Sequence, residues 1–170
     1  MELKQLCEET INLFSITDIS ELGQALFRCV RENDMEKYEK FHVLVEDLSV
    51  DWLQMIYQYY QADRKEKKQD YTPKTLADFV GRLAGDADTI IDLCAGSGAL
   101  TIQKWNRNHN SKFLLYEFDE NVIPYLLFNL AIRNINAIVY HADVLQDEIF
   151  YIYRIQQGDK YGIVEEMANA

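Results

Sequence analysis

Hydrophobic residues in the first 60 positions recur at intervals of three and four, the spacing of one face of an α-helix. Four amphipathic helices are predicted, with apolar positions Leu3, Leu6, Ile11, Leu13 and Phe14; Leu22, Ala25, Leu26, Cys29 and Val30; Met35, Tyr38, Phe41, Val45 and Leu48; and Trp52, Ile56, Tyr57 and Tyr60. Ser20 and Asp34 are candidate N-caps for the second and third helices, and Asn33 ends the second. We therefore predict a helical region over residues 1–68.

From residue 69 onward, short apolar runs of strand length alternate with helical patterns. The predicted elements are strands at residues 89–91, 112–117, 137–141 and 160–164, with helices at residues 98–105 and 122–132. Alternation of strands and helices favours an α/β fold built on a parallel sheet. We therefore predict a second domain over residues 69–170.

A further helix is predicted before the first strand. Thr72 can cap this helix with its hydroxyl, and Pro73 suits the first helical position, where its missing N–H needs no partner. Gly85 is a candidate C-terminal cap. The apolar face of this helix consists of Leu76, Phe79, Val80 and Leu83.

A glycine-rich turn follows the first strand and leads into the next helix. Asp92 lies at the strand end, and Gly96 and Gly98 tolerate the positive φ angles and close approaches that a tight turn requires. The turn leaves backbone N–H groups beside a helix N-terminus, while the Asp92 carboxylate accepts hydrogen bonds from an amine or a hydroxyl. These features predict a site for a nucleotide-like ligand.

Two alternatives remain open for this turn. The dinucleotide fingerprint requires a third glycine three positions after the second, and this chain has Thr101 there. A dinucleotide or another nucleotide is therefore a weaker prediction, although the residues do not exclude it. The glycines could also serve only to reverse the chain between a strand and a helix.

Acidic residues follow the second and third predicted strands as well. Glu117 at the end of the second strand can accept hydrogen bonds from both hydroxyls of a ribose, and the neighbouring Phe118 can cover one face of a base. Asp119 is interpreted as a cap of the following helix. Asp143 follows the third strand and either contacts a ligand or makes a local turn, as loop aspartates often do.

The pattern from Asp92 through Ala95, Gly96 and Gly98, Asp-x-x-Ala-Gly-Ser-Gly, resembles motif I of the class I methyltransferases, which bind S-adenosylmethionine. With the Tyr-Thr-Pro sequence at residues 71–73, the chain resembles the adenine-specific DNA methyltransferases, particularly the modification subunits of type I restriction systems. This resemblance covers residues 69–164, and the N-terminal helices are more loosely similar. It implies a Rossmann-like class I methyltransferase fold with strand order 3-2-1-4.

The resemblance also implies a set of cofactor contacts. Tyr71 and Thr72 would lie over the methionine end of S-adenosylmethionine, and the loop containing Asp92, Ala95, Gly96 and Gly98 would curl under it. The remaining residues implied to bind the cofactor are Glu117 at the ribose, Phe118 on the adenine ring and Asp143 at the adenine amino group.

One motif of that family is missing from these 170 residues. The family carries Asn/Asp-Pro-Pro-Tyr/Phe at the tip of its fourth strand, where it holds the target adenine, but the only prolines here are Pro73 and Pro124. A base-flipping enzyme must hold its target base. We therefore assign no catalytic residue, expect a truncated domain that does not methylate DNA alone, and expect a homodimer or a partner subunit at the exposed edge of the fourth strand.

Composition restricts the partners further. The net charge of −11 argues against tight binding to a phosphate backbone, so we expect DNA to be bound only weakly or through a partner. Cys7, Cys29 and Cys94 have no metal-binding spacing and lie in apolar patterns typical of reduced, buried thiols, which predicts a cytoplasmic protein. No apolar run approaches the roughly 20 residues that a membrane helix needs.

The sequence thus predicts an S-adenosylmethionine-binding protein of the adenine-specific DNA methyltransferase family. The alternative is a non-enzymatic interaction module that regulates a restriction-modification or mobile-element system. A small-molecule methyltransferase is a weaker third possibility, because its substrate loops would also lie outside these residues.

Overall fold

The computed structural model describes residues 2–60, 72–83, 85 and 87–168. Its α-helices are α1 (Leu3–Phe14), α2 (Leu22–Glu32), α3 (Met35–Val45), α4 (Trp52–Tyr60), α5 (Lys74–Leu83), α6 (Ala99–Trp105) and α7 (Ile123–Ile132). Its strands are β1 (Thr89–Asp92), β2 (Lys112–Glu117), β3 (Ala137–Asp143), β4 (Glu148–Gln156) and β5 (Ile163–Met167). The predicted helices, the first three strands and the α/β class are confirmed, except that α3 ends at Val45 and leaves the predicted Leu48 outside the helix.

The caps of the N-terminal helices follow local side-chain chemistry. Asn33 ends α2 in the left-handed conformation, and Asp34 caps α3 by accepting a hydrogen bond from the Lys37 N–H at 3.1 Å. The prediction of Ser20 as a helix cap was wrong. Asp18 instead accepts the Ser20 N–H at 2.9 Å, and this turn starts a short 3-10 helix (Ile19–Glu21) before α2.

The five strands form one mixed sheet in the order β1-β2-β3-β4-β5. The first three strands are parallel, whereas β4 pairs antiparallel with β3 and β5 pairs antiparallel with β4. The sequence analysis missed β4, although its β-branched and aromatic residues between Ile149 and Ile155 are typical of a strand.

The predicted position of the fourth strand was wrong. Of the segment expected at residues 160–164, only Ile163 and Val164 lie in a strand, and that strand, β5, lies beyond β4 and not beside β1. A tight turn explains the difference: Asp143 Oδ1 accepts the N–H groups of Leu145 and Gln146, and Asp147 adopts a positive φ of 54°. This reversal directs β4 back along β3 as a hairpin. Within the described residues, the open edge at the parallel end of the sheet therefore belongs to β1.

The two faces of the sheet differ in burial. Right-handed connections between parallel strands place α6 and α7 on the same face. That helix-covered face carries the buried side chains of Phe113, Leu115, Val139, Tyr153 and Ile155. The opposite face, here called the open face, carries Leu114, Tyr116, Ile138, Tyr140 and Ile152, which are only half-buried by the residues that the structure describes.

Helix α7 is the centre of the hydrophobic core. Buried residues of α1 to α4 and of the sheet belong to the same hydrophobic cluster as α7. The ring of Phe128 contacts Phe14, Tyr38 and Phe41 with centroids 5.7, 5.2 and 5.3 Å apart. The helical region thus shares one core with the sheet, and the domain boundary predicted at residues 68–69 lies outside the described residues.

Helix α5 differs from α7, because its apolar face is exposed. Leu76, Phe79, Val80 and Leu83 are exposed, with Phe79 at 55% and Leu83 at 70%, while α5 turns the buried Ala77 and Gly81 inward. The helix begins at Lys74, one residue later than predicted, and Gly85 has the positive φ expected of a C-terminal cap.

The cysteine prediction is correct for two of three residues. Cys7 and Cys29 are buried free thiols, but Cys94 is an exposed thiol because it lies in the loop after β1 and not in a strand. None of the helices described by the structure is long and apolar enough to cross a bilayer.

Candidate cofactor site

Three acidic residues end three neighbouring parallel strands. Asp92 is the last residue of β1, Glu117 of β2 and Asp143 of β3. The strand register pairs Asp92 with Leu115, and Glu117 with His141, so these acids lie at the same carboxyl-end edge of the sheet. Open α/β sheets bind ligands outside this edge.

The glycine loop is bonded to the end of the second strand. The Ala95 N–H donates to the Tyr116 carbonyl at 2.9 Å, and the Gly96 N–H donates to Glu117 Oε2 at 2.8 Å. Gly96 and Gly98 have φ angles of 56° and 100°, which favour glycine. The structure therefore brings together the loop and the strand-end acid that the sequence analysis singled out.

Gly98 also packs closely against the core. A Cβ atom at this position would lie 3.2 Å from Leu126 Cδ1 on α7. Gly98 immediately precedes α6, so a side chain here would require Leu126 on α7 to move by a few tenths of an ångström, besides the strain of the positive φ.

Burial controls the electrostatics of the two central acids. It raises the pKa of Glu117, opposed by hydrogen bonds from the N–H groups of Asp119 and Gly96. Burial also raises the pKa of Asp92, opposed by a 3.1 Å hydrogen bond from the Cys94 N–H. Two half-buried carboxyl groups beside backbone donors suit a ligand that carries hydroxyl groups and positive charge.

Phe118 borders an open recess next to Glu117. Its ring is 62% exposed and its centroid lies 6.4 Å from that of Phe150. A cavity of about 410 Å³ opens here between Phe118, Phe150 and Tyr151. His141 Nε2 lies 3.1 Å from the Phe118 carbonyl oxygen and fixes the position of this loop. An exposed aromatic ring beside a cavity can cover a planar base.

Asp143 makes the local turn that the sequence analysis left open as an alternative. Its Oδ1 accepts hydrogen bonds from the N–H groups of Leu145 at 2.9 Å and Gln146 at 3.1 Å. Asp119 likewise makes a turn, accepting the Asn121 N–H at 3.1 Å, and α7 begins four residues later at Ile123. Asp143 thus has a structural role at the strand end that does not depend on a ligand.

Thr72 lies near the start of α6, and Tyr71 lies outside the described residues. The Thr72 carbonyl accepts a hydrogen bond from Gln54 Nε2 at 3.4 Å. Thr72 also lines a cavity of about 260 Å³ together with Asp51, Ala99 and Gln103. The structure therefore brings the segment before α5 next to the helix that follows the glycine loop.

Asp51, which the sequence did not indicate as a site residue, contacts the glycine loop from the N-terminal helical region. Ser97 Oγ donates to Asp51 Oδ2 at 2.7 Å, and Asn129 Nδ2 donates to Asp51 Oδ1 at 2.8 Å and to the Ser97 carbonyl at 2.9 Å. An aspartate just before α4 indicates a helix cap, and the Gln54 N–H does donate to it. Nothing in the sequence indicates its partner 46 residues away.

Comparison with known families identifies one match. The profile of the family described as N-6 DNA Methylase matches residues 46–163, which include α4, Thr72, the glycine loop and all three strand-end acids. A search of curated proteins found no match, and a search of solved structures found none either.

Proposed function

This chain belongs to the N-6 DNA methylase family, and we propose that it binds S-adenosylmethionine at the carboxyl ends of β1, β2 and β3. In this proposal the chain is the cofactor-binding part of an adenine-specific DNA methyltransferase of a restriction-modification system. In the proposal the parallel strands β1, β2 and β3 correspond to one half of a Rossmann-like class I domain, and the antiparallel strands β4 and β5 do not. The interaction-module alternative has no specific observation in its favour.

The observation that carries the proposal is the direct hydrogen bond between the glycine loop and Glu117. Because the Gly96 N–H binds one carboxylate oxygen of Glu117, the loop and the acid are held at a fixed separation. In the proposal Glu117 accepts the ribose hydroxyls and Phe118 covers the adenine ring. In the proposal the carboxylate of Asp92 accepts a hydrogen bond from the positively charged methionine end.

The negative charge of the site suits this cofactor. S-adenosylmethionine carries a sulfonium and an ammonium group, and both favour a site with ionised carboxylates. Asp92 and Glu117 supply such carboxylates above their raised pKa values. A role in DNA modification also implies the cytoplasm, where the free thiols of Cys7, Cys29 and Cys94 stay reduced.

Methyl transfer requires a segment that holds the target adenine, and these 170 residues contain no Pro-Pro sequence. We assign that task to a partner polypeptide segment that docks on the open edge of β1. Ile91 and Leu93 are exposed in β1 and the loop after it, and among the described residues β1 pairs with β2 alone, so its other side can pair with a further strand.

Calorimetric titration with S-adenosylmethionine and S-adenosylhomocysteine tests cofactor binding. Wild-type protein is expected to bind with micromolar affinity, on the order of −8 kcal/mol. Asp92→Ala and Glu117→Ala should each weaken binding at least tenfold. Glu165→Ala is the matched control, because it removes one exposed carboxylate of β5, which lies at the opposite edge of the sheet from β1. Equal affinities for all four proteins would contradict the proposed site.

Sedimentation velocity tests the assignment of the open edge. The chain alone is expected to be monomeric at micromolar concentration. A dimer that Ile91→Glu dissociates would show that a second copy covers this edge, and would contradict the assignment to a different polypeptide segment.

A further inference from the structure

We infer that Asp51 is a positioning residue for the cofactor loop, so that α4 of the N-terminal helical region sets the geometry of the glycine loop through Ser97. This inference rests on the proposed function, because it assigns a role in cofactor binding to a residue outside the cofactor contacts. In this inference Asp51 acts through its hydrogen bond with Ser97 and not by binding the ligand itself.

The bonds between Asp51 and the loop are buried and direct. Asp51 is 7% exposed, and Ser97 and Asn129 are almost fully buried. The Ser97 hydroxyl donates to one oxygen of Asp51, and the Asn129 amide joins the other oxygen to the Ser97 carbonyl. Both the side chain and the backbone of Ser97 are therefore held, and Ser97 lies between the two positive-φ glycines of the loop.

Asp51 also determines where α4 begins. Its Oδ1 accepts the Gln54 N–H at 2.9 Å, which satisfies a donor of the first helical turn. A second contact from the same helix, Gln54 Nε2 to the Thr72 carbonyl, reaches the segment before α5. Helix α4 thus contacts the expected cofactor site at two points, the glycine loop and Thr72.

A buried carboxylate is costly unless donors surround it, and here the surroundings fix its position. Arg133 lies beyond Asn129 and donates to Asn129 Oδ1 at 2.8 Å. The same guanidinium donates to the carbonyls of Leu48 and Val50, both at 2.8 Å, and so holds the segment that leads into Asp51. Burial lowers the pKa of Arg133 to about 10, so this group stays charged at neutral pH.

A purely structural role and a positioning role make different predictions. If the network only stabilises the fold, its loss lowers the free energy of unfolding and leaves the cofactor affinity of the folded protein unchanged. If Asp51 positions the loop, the folded variants lose affinity as well. Removing Ser97 Oγ or the Asp51 carboxylate interrupts the same connection, so the two losses should not add.

A double-mutant cycle separates these possibilities. We would measure the dissociation constant of S-adenosylhomocysteine by calorimetry for wild type, Asp51→Asn, Ser97→Ala and the double variant, with folding verified by circular dichroism. Each single change is expected to raise the dissociation constant about tenfold. The dissociation constant of the double variant is expected to be at most about twice that of the single variant that binds more weakly. Wild-type affinity in the folded single variants, or a hundredfold loss in the double variant, would overturn the inference.

Val45→Ala is the matched control, because Val45 is a buried residue of the same helical region and belongs to the hydrophobic cluster. This variant is expected to lose stability but to keep wild-type affinity. If Val45→Ala weakens binding as much as Asp51→Asn does, general destabilisation explains the effect and the positioning role is wrong.

Hydrogen exchange gives a readout that does not depend on the ligand. The Gly98 N–H donates to the Ala95 carbonyl at 2.9 Å inside the loop. Its exchange should accelerate at least tenfold in Asp51→Asn and remain unchanged in Val45→Ala. If wild-type protein binds no cofactor, the proposed function fails, and this exchange rate still decides whether Asp51 positions the loop.

Discussion

The helix-covered face and the β1 edge present similar apolar residues in opposite environments. On the covered face, α7 is buried on nearly all sides between the sheet and the N-terminal helices. Outside that core, α5 packs against α6 and exposes a regular apolar stripe, and the edge strand β1 exposes Ile91 at 62%. Parallel sheets are normally covered on both faces. The difference separates the part of the molecule that provides its stability from the part that is suited to contact another polypeptide.

Phe128→Ala is the largest change that the covered face predicts. The ring is fully buried among Phe14, Tyr38 and Phe41, so its removal leaves a cavity in the core. The free energy of unfolding should fall by about 3–5 kcal/mol. Urea denaturation followed by circular dichroism measures this value, and a loss below about 1 kcal/mol would show that α7 is not the centre of the core.

Gly98→Ala tests whether the loop packs against the covered face as closely as the structure indicates. An alanine would have to adopt a φ of 100° with its Cβ 3.2 Å from Leu126 Cδ1. The left-handed conformation alone costs about 1–2 kcal/mol, and cofactor affinity should fall because the loop must shift. Adding Leu126→Ala to Gly98→Ala removes the steric contact but leaves the free-energy cost of the positive φ at residue 98. Full recovery of affinity in that double variant would mean that steric contact, not φ, limits the loop.

Lowering the pH should reduce the affinity for the cofactor and increase the stability that Asp92 and Glu117 contribute to the folded protein. Burial raises the pKa of Asp92 and Glu117 above their ordinary values of 3.8 and 4.5. The ionised forms bind the cofactor, so affinity falls as the pH decreases through the raised values. Because both groups have a higher pKa in the folded protein than in the unfolded chain, protonation favours the folded state. Their contribution to stability is therefore fully present below the pKa values of the unfolded chain, and it is lost as the pH rises through the pKa values of the folded protein.

Calorimetry and urea denaturation between neutral pH and pH 4.5 check both signs. Affinity should decline within this range, and Glu117→Gln should remove the part of the decline that belongs to Glu117. An affinity that is constant down to pH 4.5 would contradict the assignment of these carboxylates to cofactor binding.

Phe79→Ala is the smallest change and the direct counterpart of Phe128→Ala. Phe79 is exposed on α5, so its removal should change the free energy of unfolding by about 0.5 kcal/mol or less. A loss comparable with that of Phe128→Ala would show that the apolar stripe of α5 is covered in solution, and the contrast between the two regions would disappear.

The parts of the site that the sequence predicts depend on local requirements. Gly96 and Gly98 are identified because a sharp turn requires positive φ, and Glu117 because it ends an apolar run of strand length. The same local reasoning positions Asp34 and Asn33 as helix caps. Local rules therefore suffice for the loop, the strand-end acids and most helix boundaries.

The parts that the sequence does not predict depend on distant contacts. The hairpin between β3 and β4 moves β5 to the far side of the sheet, which no local pattern near residues 160–164 indicates. The exposure of the apolar face of α5 was likewise not predictable, because an amphipathic pattern indicates an apolar face but not whether another element covers it. Asp51 acquires its role from Ser97 and Asn129, which are 46 and 78 residues away.

The central claim is that the glycine loop and Glu117 bind S-adenosylmethionine and not a dinucleotide. Side-by-side calorimetric titration of wild-type protein and Glu117→Ala with S-adenosylhomocysteine and with NAD⁺ tests it most directly. We expect micromolar binding of S-adenosylhomocysteine that Glu117→Ala weakens at least tenfold, and no heat with NAD⁺ up to millimolar concentration. Binding of NAD⁺ in preference to S-adenosylhomocysteine, or no heat with either ligand, would contradict it.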